Sequence, residues 1–471
     1  MQVVKNYLYN AFYQIFILLV PLITTPYLSR VLGPTGVGIN AYTNSIIQYF
    51  ILFGSIGVNL YGNRQIAYVR RDRQKLTKTF YEIFFMRGLT ILLASLAFFI
   101  FLSLTSRYHT YYLAQFVSLV AAAFDISWFF MGVENFAVTV LRNLVVKIVT
   151  LISIFAFVKS ESDLVLYILI LSLSLLLGNL TLFPSLKKYI GRPILQQLNL
   201  SHHLLPSLAL FIPQIATQVY LVVNKTMLGS MTSVQAAGYF DQSDKIIKMV
   251  LAIVTATGTV MLPHVANAFA NGEHEKTRNY LYESFSFVSA IAFPMFFGIM
   301  AVASKFVPLF FTNRFRAVIP LMIIEAIVIL LIAWSNAIGT QYLLPTNQTR
   351  SYTMSVVLGA VVNIIINIPL ITLWGAVGAA IATVLSETTV TIYQLWIVHK
   401  QVVANKLFAD TWKYLLAGLM MFVIVRFMDG RLSISWPILA LEVIVGMLIY
   451  GCILVILRAK IIKKAIQLVK H

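Results

Sequence analysis

The segment GYFDQSDKIIKMV, residues 238–250, interrupts an apolar run from Val234 to Pro263 with charge. Four ionisable residues stand in it at helical spacing: Asp241, Asp244, Lys245 and Lys248. In a helix they occupy one face, and apolar residues such as Phe240 and Ile247 occupy the opposite face. An ionisable side chain inside a bilayer costs roughly 2.5–3.5 kcal/mol on insertion scales, so the segment predicts paired charges, water or a functional role.

Two interpretations of this face are open. Asp241 with Lys245, and Asp244 with Lys248, are four residues apart, a spacing at which helical side chains meet and neutralise each other. The first interpretation is therefore two structural ion pairs. The second is a polar face that lines a wet cavity and meets a ligand.

The amino-acid composition indicates that most of the chain lies in a lipid bilayer. Hydrophobic residues make up 59% of the 471 residues and charged residues only 11%, which indicates an all-α membrane protein with many spans. An apolar stretch of about 20 residues crosses a bilayer, and this criterion predicts about fourteen transmembrane helices. They are 7–29, 37–61, 80–104, 109–131, 136–158, 163–186, 204–231, 234–262, 280–303, 317–341, 350–372, 375–399, 413–429 and 436–458. No cleavable signal pattern is seen, so 7–29 is expected to be an uncleaved first helix.

The chain contains an internal repeat. GINAYTNSI at 38–46 aligns with GYFDQSDKI at 238–246, and KLTKTFYE at 75–82 aligns with KTRNYLYE at 276–283. Six spans separate the copies, so both run in the same direction. This predicts two six-helix bundles related by a pseudo-two-fold axis, residues 1–190 and 191–402, followed by a helix pair and a basic tail, 403–471. The polar stripe of the second copy aligns with an uncharged stripe that contains Asn44 and Gln48.

The distribution of Lys and Arg predicts orientation. They are about three times as numerous in the predicted inner loops and tails as in the outer loops, which places both termini inside. Most of the basic residues behind the net charge of +19 then lie in inner loops beside anionic lipid. Their number is explained without a nucleic-acid partner, and none is expected. The single Cys452 excludes internal disulfides and is predicted to be a packed core thiol.

Other spans carry polar residues that fit a central wet cavity. The seventh span places Gln214, Gln218 and Lys225 on one stripe, and Lys147 lies near the middle of the fifth span. Glu325 and Glu387 are single carboxylates, expected either to carry a proton or to neutralise a cavity lysine.

The remaining intramembrane charges are interpreted structurally. Asp125 and Arg142 are predicted to form an ion pair, because they lie at similar distances from one inner turn. Arg87 either pairs with Asp125 or extends towards the interface. Arg426 and Glu442 are predicted to pair or extend likewise, and Lys305 is placed in an outer loop, 304–316.

The segment VPLITTPYLSRVLGPTGVGINAYTNSI, 20–46, together with AAGYFDQSDKI, 236–246, resembles the polysaccharide flippases of the MOP (MATE-like) exporter superfamily, most closely the Wzx type. The resemblance covers nearly the whole chain. It implies that an undecaprenyl-diphosphate-linked oligosaccharide moves from the inner to the outer leaflet of a bacterial cytoplasmic membrane by alternating access. MurJ-type lipid II flippases also end in two extra helices, but the first two spans here lack their arginine cluster and offer only Arg30 and Arg64.

Chemistry assigns roles within this hypothesis. Cationic side chains bind a diphosphate through charge-assisted hydrogen bonds, and amide side chains form hydrogen bonds with sugar hydroxyls. The candidate diphosphate ligands are Lys225, Lys245, Lys248 and Lys147, with Arg30 as an outer-gate cation; the candidate sugar ligands are Asn44, Gln48, Gln214 and Gln218. Asp241 and Asp244 are expected to tune the lysines or bind a coupling proton or Na⁺.

Three rival functions remain. A MATE-type antiporter and a lipid II flippase share the expected fold, and a membrane polymerase or ligase acts on the same kind of substrate. Seven membrane-buried basic residues favour an anionic ligand over the cations of MATE antiporters, and the largest predicted outer loop, 304–316, lacks the carboxylates or histidines of an enzyme. No nucleotide motif, cofactor signature or metal-ligand spacing is present, so the chain is predicted not to be an enzyme. Polysaccharide polymerase and glycosyltransferases are expected functional partners.

Overall fold

The computed structural model describes residues 2–192 and 198–462; within them, the side chains of 2–18, 136, 137, 212–214, 216, 217, 220, 257, 259 and 260 fall outside the description. No strand occurs in the described residues. The helices are α1 Gln2–Ser55, α2 Val58–Val69, α3 Arg73–Leu104, α4 His109–Ala123, α5 Ser127–Gly132, α6 Phe136–Phe157, α7 Leu164–Leu180, α8 Phe183–Leu186, α9 Ser201–Met231, α10 Val234–Thr255, α11 Thr257–Ala270, α12 His274–Phe310, α13 Val318–Ser335, α14 Thr349–Trp374, α15 Ala376–Val398, α16 Ala404–Leu407, α17 Thr411–Arg431 and α18 Trp436–Ile456. A π-helical segment, Asn336–Leu343, continues α13.

The all-α membrane architecture is confirmed. Within the described residues, 11 helical segments are long and apolar enough to cross a bilayer. One of them, Leu19–Val69, contains the end of the first predicted span and the whole of the second, while the predicted spans 204–231 and 234–262 are not among them. The predicted count of fourteen is therefore not confirmed.

The chain separates into two compact units, Met1–Gly229 and Ser230–His471. In the first unit, α9 is fastened to the preceding helices: the Ser207 hydroxyl donates to the Ile56 carbonyl at 2.6 Å, and the Phe211 ring lies 5.9 Å from that of Phe53. The domain boundaries near residues 190 and 402 stay predictions.

The internal repeat is visible in the helix boundaries. Helix α1 ends at Ser55 and α10 ends at Thr255; α3 begins at Arg73 and α12 begins at His274. Corresponding boundaries are thus about 200 residues apart, the offset at which the two sequence segments align. Each copy consequently breaks its polar helix at the same place and starts a new helix there.

Two glycines of the first unit lie where a helix is interrupted, one inside α1 and one between α1 and α2. Gly33 interrupts α1 with φ 62 and ψ 179, and Gly57 precedes α2 with φ 74. A Cβ on Gly57 would lie 3.0 Å from the Ser207 carbonyl oxygen and 3.1 Å from the Phe211 backbone nitrogen. Only glycine meets both requirements, a left-handed backbone and close approach of a second helix.

Replacing Gly57 by alanine is therefore expected to destabilise the protein by about 1–3 kcal/mol, the cost of holding a residue with a side chain in a strained backbone conformation. The melting temperature of purified protein in detergent should fall. Gly88→Ala is the matched control, because a Cβ there meets no atom within 4 Å and alanine favours the helix. Equal melting temperatures for Gly57→Ala and the unchanged protein would contradict the prediction.

A buried hydrogen-bonded network holds the start of α9 in the first unit. Nε2 of His203 lies 2.8 Å from the Glu82 carboxylate, and the Tyr61 hydroxyl lies 2.7 Å from Nδ1 of the same ring. The backbone N–H of Asn199 donates to Glu82 at 2.8 Å. All three side chains are buried, and the network joins α2, α3 and α9. His203 therefore has a structural environment that the sequence did not reveal.

In the second unit, an ionic cluster fastens the C-terminal helix pair to α12. Lys305 contacts Glu442 and lies 3.7 Å from Asp429, while Arg426 donates to Asp429 at 2.7 Å. The side chain of Lys305 is 2% exposed and that of Glu442 is 0% exposed. The prediction of an outer-loop Lys305 is wrong, because α12 continues to Phe310 and the two carboxylates compensate its buried charge.

Two further predictions are wrong. Arg142 donates to Asn179 at 3.0 Å, and Asp125 instead lies 3.6 Å from Arg87. The reason is that Asp125 lies in the break between α4 and α5, where its carboxylate accepts from the Ser127 N–H at 3.0 Å. Cys452 is exposed, since it lies on a face of α18 that no described helix covers.

Candidate functional site

The first unit contains a cavity of about 160 Å³ beside the break between α1 and α2, lined by both polar and apolar side chains. Its lining includes Gln48 from α1 and Gln218 from α9, together with Ser55 and Asn59. Two residues that the sequence assigned to sugar binding therefore face one cavity. Amide and hydroxyl groups of this kind can donate and accept hydrogen bonds, as recognition of a polyol requires.

A buried cation stands behind the wall of this cavity. Arg87 donates to Oδ1 of Asn59 at 2.8 Å and to the Asp125 carbonyl at 2.9 Å, and its side chain is 2% exposed. The Asp125 carboxylate at 3.6 Å compensates its charge. The sequence allows Arg87 either to pair with Asp125 or to extend to the interface, and the structure shows the pair. The polar Asn59, one turn beyond Ser55, is the sequence feature that indicates the inward position.

The other candidates of the first unit do not line this cavity. Nδ2 of Asn44 donates to Oε1 of Gln115 at 3.4 Å, and Nε2 of Gln115 donates to Oδ1 of Asn40 at 3.1 Å, so the Asn44 amide belongs to a separate network. Lys147 and Lys225 are half-buried in α6 and α9. Arg30 is exposed and donates to the Pro26 carbonyl at 3.0 Å. The Gln214 side chain lies outside the described residues.

The second unit holds the charged face of α10. Lys245 lies 2.5 Å from Asp241, and Lys248 lies 2.7 Å from Asp244. The two ion pairs of the first interpretation are therefore present, as the four-residue spacing predicts. They do not bury the lysines: the side chains of Lys245 and Lys248 are 40% and 47% exposed, whereas Asp241 is buried.

Glu325 of α13 extends this face. Its side chain is buried, and its carboxyl group accepts a hydrogen bond from the Ser243 hydroxyl of α10. Ser243 lies between Asp241 and Asp244 in the sequence, but only the fold shows it as the partner of Glu325. Burial of a carboxylate is costly unless a hydrogen-bond donor or a counter-charge accompanies it, and the Ser243 hydroxyl supplies one donor. Glu387 is buried in α15.

The lysines of α10 retain hydrogen-bond donors that a ligand can use. Each half-exposed ammonium group carries three donors, and its carboxylate partner occupies only part of that capacity. An anion that reaches Lys248 would therefore exchange a partly exposed ion pair, worth about 0–1 kcal/mol, for a charge-assisted hydrogen bond of its own. Displacing Asp241 from Lys245 costs more, because that carboxylate is buried.

These helices and their charged, hydrogen-bonding faces define a multispanning α-helical membrane protein. A solved structure of the lipid II flippase MurJ, in an inward closed conformation, is similar over 98% of this chain and 100% of that chain, with a TM-score of 0.79 and 16% identity. An inward-facing MATE family multidrug-resistance transporter of the MOP superfamily is similar over 89% and 99%, with a TM-score of 0.62 and 14% identity. At these identities the similarity establishes the fold alone.

The chain belongs to the polysaccharide biosynthesis protein family, whose model matches residues 3–269. A protein of Escherichia coli strain K12 whose name describes an O-antigen transporter is 25% identical over 401 residues, which cover 84% of this chain and 96% of that protein. The family match therefore confirms the resemblance to polysaccharide flippases.

Proposed function

We propose that this protein is a flippase for lipid-linked oligosaccharides, which moves undecaprenyl-diphosphate-linked repeat units from the inner to the outer leaflet of a bacterial cytoplasmic membrane. Membership of the polysaccharide biosynthesis family is the observation that carries the proposal. The similarity to a protein named for O-antigen transport, along most of both chains, supports the same substrate class.

The residues have divided roles in this proposal. Lysine ammonium groups bind the diphosphate, because charge-assisted hydrogen bonds to phosphate oxygens are about twice as strong as neutral ones. The proposed diphosphate ligands are Lys147, Lys225, Lys245 and Lys248, with Arg30 at the outer gate. The proposed sugar ligands are Asn44, Gln48, Gln214 and Gln218. Asp241, Asp244, Glu325 and Glu387 adjust the lysine charges or bind the coupling ion, H⁺ or Na⁺.

The transport step is alternating access, with both chain termini on the cytoplasmic side. An ion gradient, the membrane potential or removal of the product outside supplies the driving force. Glycosyltransferases that build the repeat unit inside and a polymerase that consumes it outside are the implied functional partners. The competing function is ion-coupled antiport of small molecules; the half-exposed lysines of α10 favour an anionic ligand over the cations such antiporters carry.

The decisive experiment reconstitutes the purified protein in vesicles that contain an undecaprenyl-diphosphate-linked oligosaccharide with a fluorescent sugar. A membrane-impermeant quencher then reports the fraction of sugar in the outer leaflet over time. We expect the protein to accelerate exchange between leaflets, because a diphosphate sugar headgroup crosses apolar lipid only at a high desolvation cost.

Three vesicle samples separate the alternatives. Protein-free vesicles give the background rate, vesicles with lipid II test the lipid II flippase function, and vesicles loaded with an organic cation under a proton gradient test antiport. A rate equal to that of protein-free vesicles for the oligosaccharide, with transport of the organic cation, would reject the proposed function in favour of the antiporter.

A further inference from the structure

Two adjoining cavities lie at the end of the second unit where α12 begins and α15 ends. Their volumes are about 280 and 300 Å³, and Arg278, Lys400 and Gln401 line both. Lys406 of α16 lines the second one. These cavities are separate from the charged face of α10, and none of the roles proposed above uses their residues.

Among the described residues, the cations of these cavities have no hydrogen-bonding or ion-pair partner in the protein. Within the described part of the chain, the charged groups of Arg278, Lys400 and Lys406 form no ion pair or hydrogen bond. This differs from the α10 lysines, each of which has a carboxylate partner. Glu275 is the one acidic residue in either lining and makes no ion pair with them among the described residues. The cavities therefore carry net positive charge that a ligand can meet.

The floor of the cavities is held in place by side chains. Gln348 and Gln401 exchange reciprocal amide hydrogen bonds of 3.0 and 2.8 Å. The Tyr342 hydroxyl donates to Gln401 at 3.3 Å, and the Val403 N–H donates to the Tyr282 hydroxyl at 2.9 Å. The segment that carries Lys400 is thus fixed at several points. A binding site whose backbone is already ordered loses less entropy on binding than a flexible segment does.

A third cavity beside these two favours a lipid phosphate over a free phosphate ion as the ligand. It measures about 820 Å³ and shares Asn279, Tyr282 and Lys406 with the cationic cavity. Apolar side chains in its wall include Met261, Phe287, Leu407 and Ile461. The wall also contains the carboxylates Glu283 and Asp410, of which Asp410 pairs with Lys413 at 2.9 Å. Cations beside an apolar cavity match an amphiphile with a phosphate head, whereas a free phosphate ion would use only the polar part.

We propose that this end of the second unit binds an anionic phospholipid, with its phosphate group at Arg278, Lys400 and Lys406 and an acyl chain along the apolar wall of the third cavity. Guanidinium and ammonium groups are the usual ligands of phosphate oxygens. The loops concerned are predicted to face the cytoplasmic leaflet, where anionic lipids attract basic residues. The site is distinct from the proposed substrate ligands and does not depend on the transported molecule.

The test titrates the purified full chain in detergent with dioleoyl phosphatidylglycerol and counts bound lipids by native mass spectrometry. In the triple variant Arg278→Gln, Lys400→Gln, Lys406→Gln, we expect phosphatidylglycerol binding to weaken at least about tenfold, because several charge-assisted hydrogen bonds are lost. The matched control Lys187→Gln, Lys188→Gln, Lys276→Gln removes the same charge outside the cavities and should bind as the unchanged protein does. Equal losses in both variants, or none in the first, would overturn the proposal.

Further samples identify the ligand. Dioleoyl phosphatidylcholine has the same chains without net charge, so it should bind weakly to all variants. Millimolar inorganic phosphate should not displace phosphatidylglycerol; full displacement would show a site for free phosphate and reject the lipid. If the triple variant fails to fold, Lys400→Gln and Lys406→Gln alone, both at exposed positions, carry the test with an expected loss of a few fold each.

Discussion

Replacing Lys305 by methionine is expected to lower the free energy of unfolding by about 3–5 kcal/mol, the usual cost of removing one partner of a buried ion pair. The Glu442 carboxylate contacts Lys305 and is fully buried, so it would remain without a counter-charge. Asp429 would keep Arg426 and the Ser304 hydroxyl, which lies at 2.5 Å. Unfolding by SDS in mixed micelles measures the change.

A double variant distinguishes the effect of the unpaired Glu442 charge from the effect of changing the Lys305 side chain itself. Lys305→Met combined with Glu442→Leu removes both buried charges, and replacement of such a pair by apolar residues is often neutral or stabilising. We expect the double variant to recover most of the loss. Lys276→Met, at an exposed position of the same helix, is the control and should unfold like the unchanged protein. Equal stability of Lys305→Met and the control would mean that the cluster does not hold α18 to α12.

Replacing both Lys245 and Lys248 by glutamine is expected to reduce the leaflet-exchange rate at least about tenfold, since each charge-assisted hydrogen bond contributes about 1.5–3 kcal/mol and 1.4 kcal/mol is a factor of ten. This prediction rests on the proposed function and on the assignment of these lysines to the diphosphate. The vesicle assay measures the rate, and equal incorporation into vesicles shows that both proteins fold.

Charge exchange distinguishes binding from structure at the same position. Asp241→Lys with Lys245→Asp, and Asp244→Lys with Lys248→Asp, retain both ion pairs but move each cation by one helical turn. If the lysines bind substrate, the exchanged variants should stay slow. Wild-type rates in the exchanged variants would show that only the pairs matter and would remove Lys245 and Lys248 from the substrate site. Lys276→Gln serves as the control for loss of charge elsewhere.

Local features of the charged helix were predictable from the sequence. The pairs Asp241–Lys245 and Asp244–Lys248 are present because a spacing of four residues brings side chains together in any α-helix. The same holds for the all-helical membrane architecture, since a chain in lipid must satisfy its backbone hydrogen bonds within each span, but not for the number and ends of the spans. The repeat offset of about 200 residues likewise appears in the helix boundaries.

Contacts between helices were not predictable in the same way. Arg87 meets Asp125 while Arg142 meets Asn179, and Lys305 meets Glu442 from 137 residues away. A partner in another helix depends on the rotation and depth of both helices, and small residues at close contacts set these, not hydropathy. Gly57 illustrates this, because its lack of a side chain lets α9 approach α1 and brings Gln218 to the cavity of Gln48.

The sequence by itself therefore determined the all-helical membrane class and the ion pairs within α10, because each depends on residues close together along one helix; it also determined the offset of the repeat, because two segments of the chain align directly. Only the tertiary structure decided which charges are buried together, that Glu325 bonds to Ser243, and that Arg278 and Lys400 share a cavity. Those features depend on how helices distant in sequence are rotated against each other, and an apolar stretch has nearly the same hydropathy in every rotation.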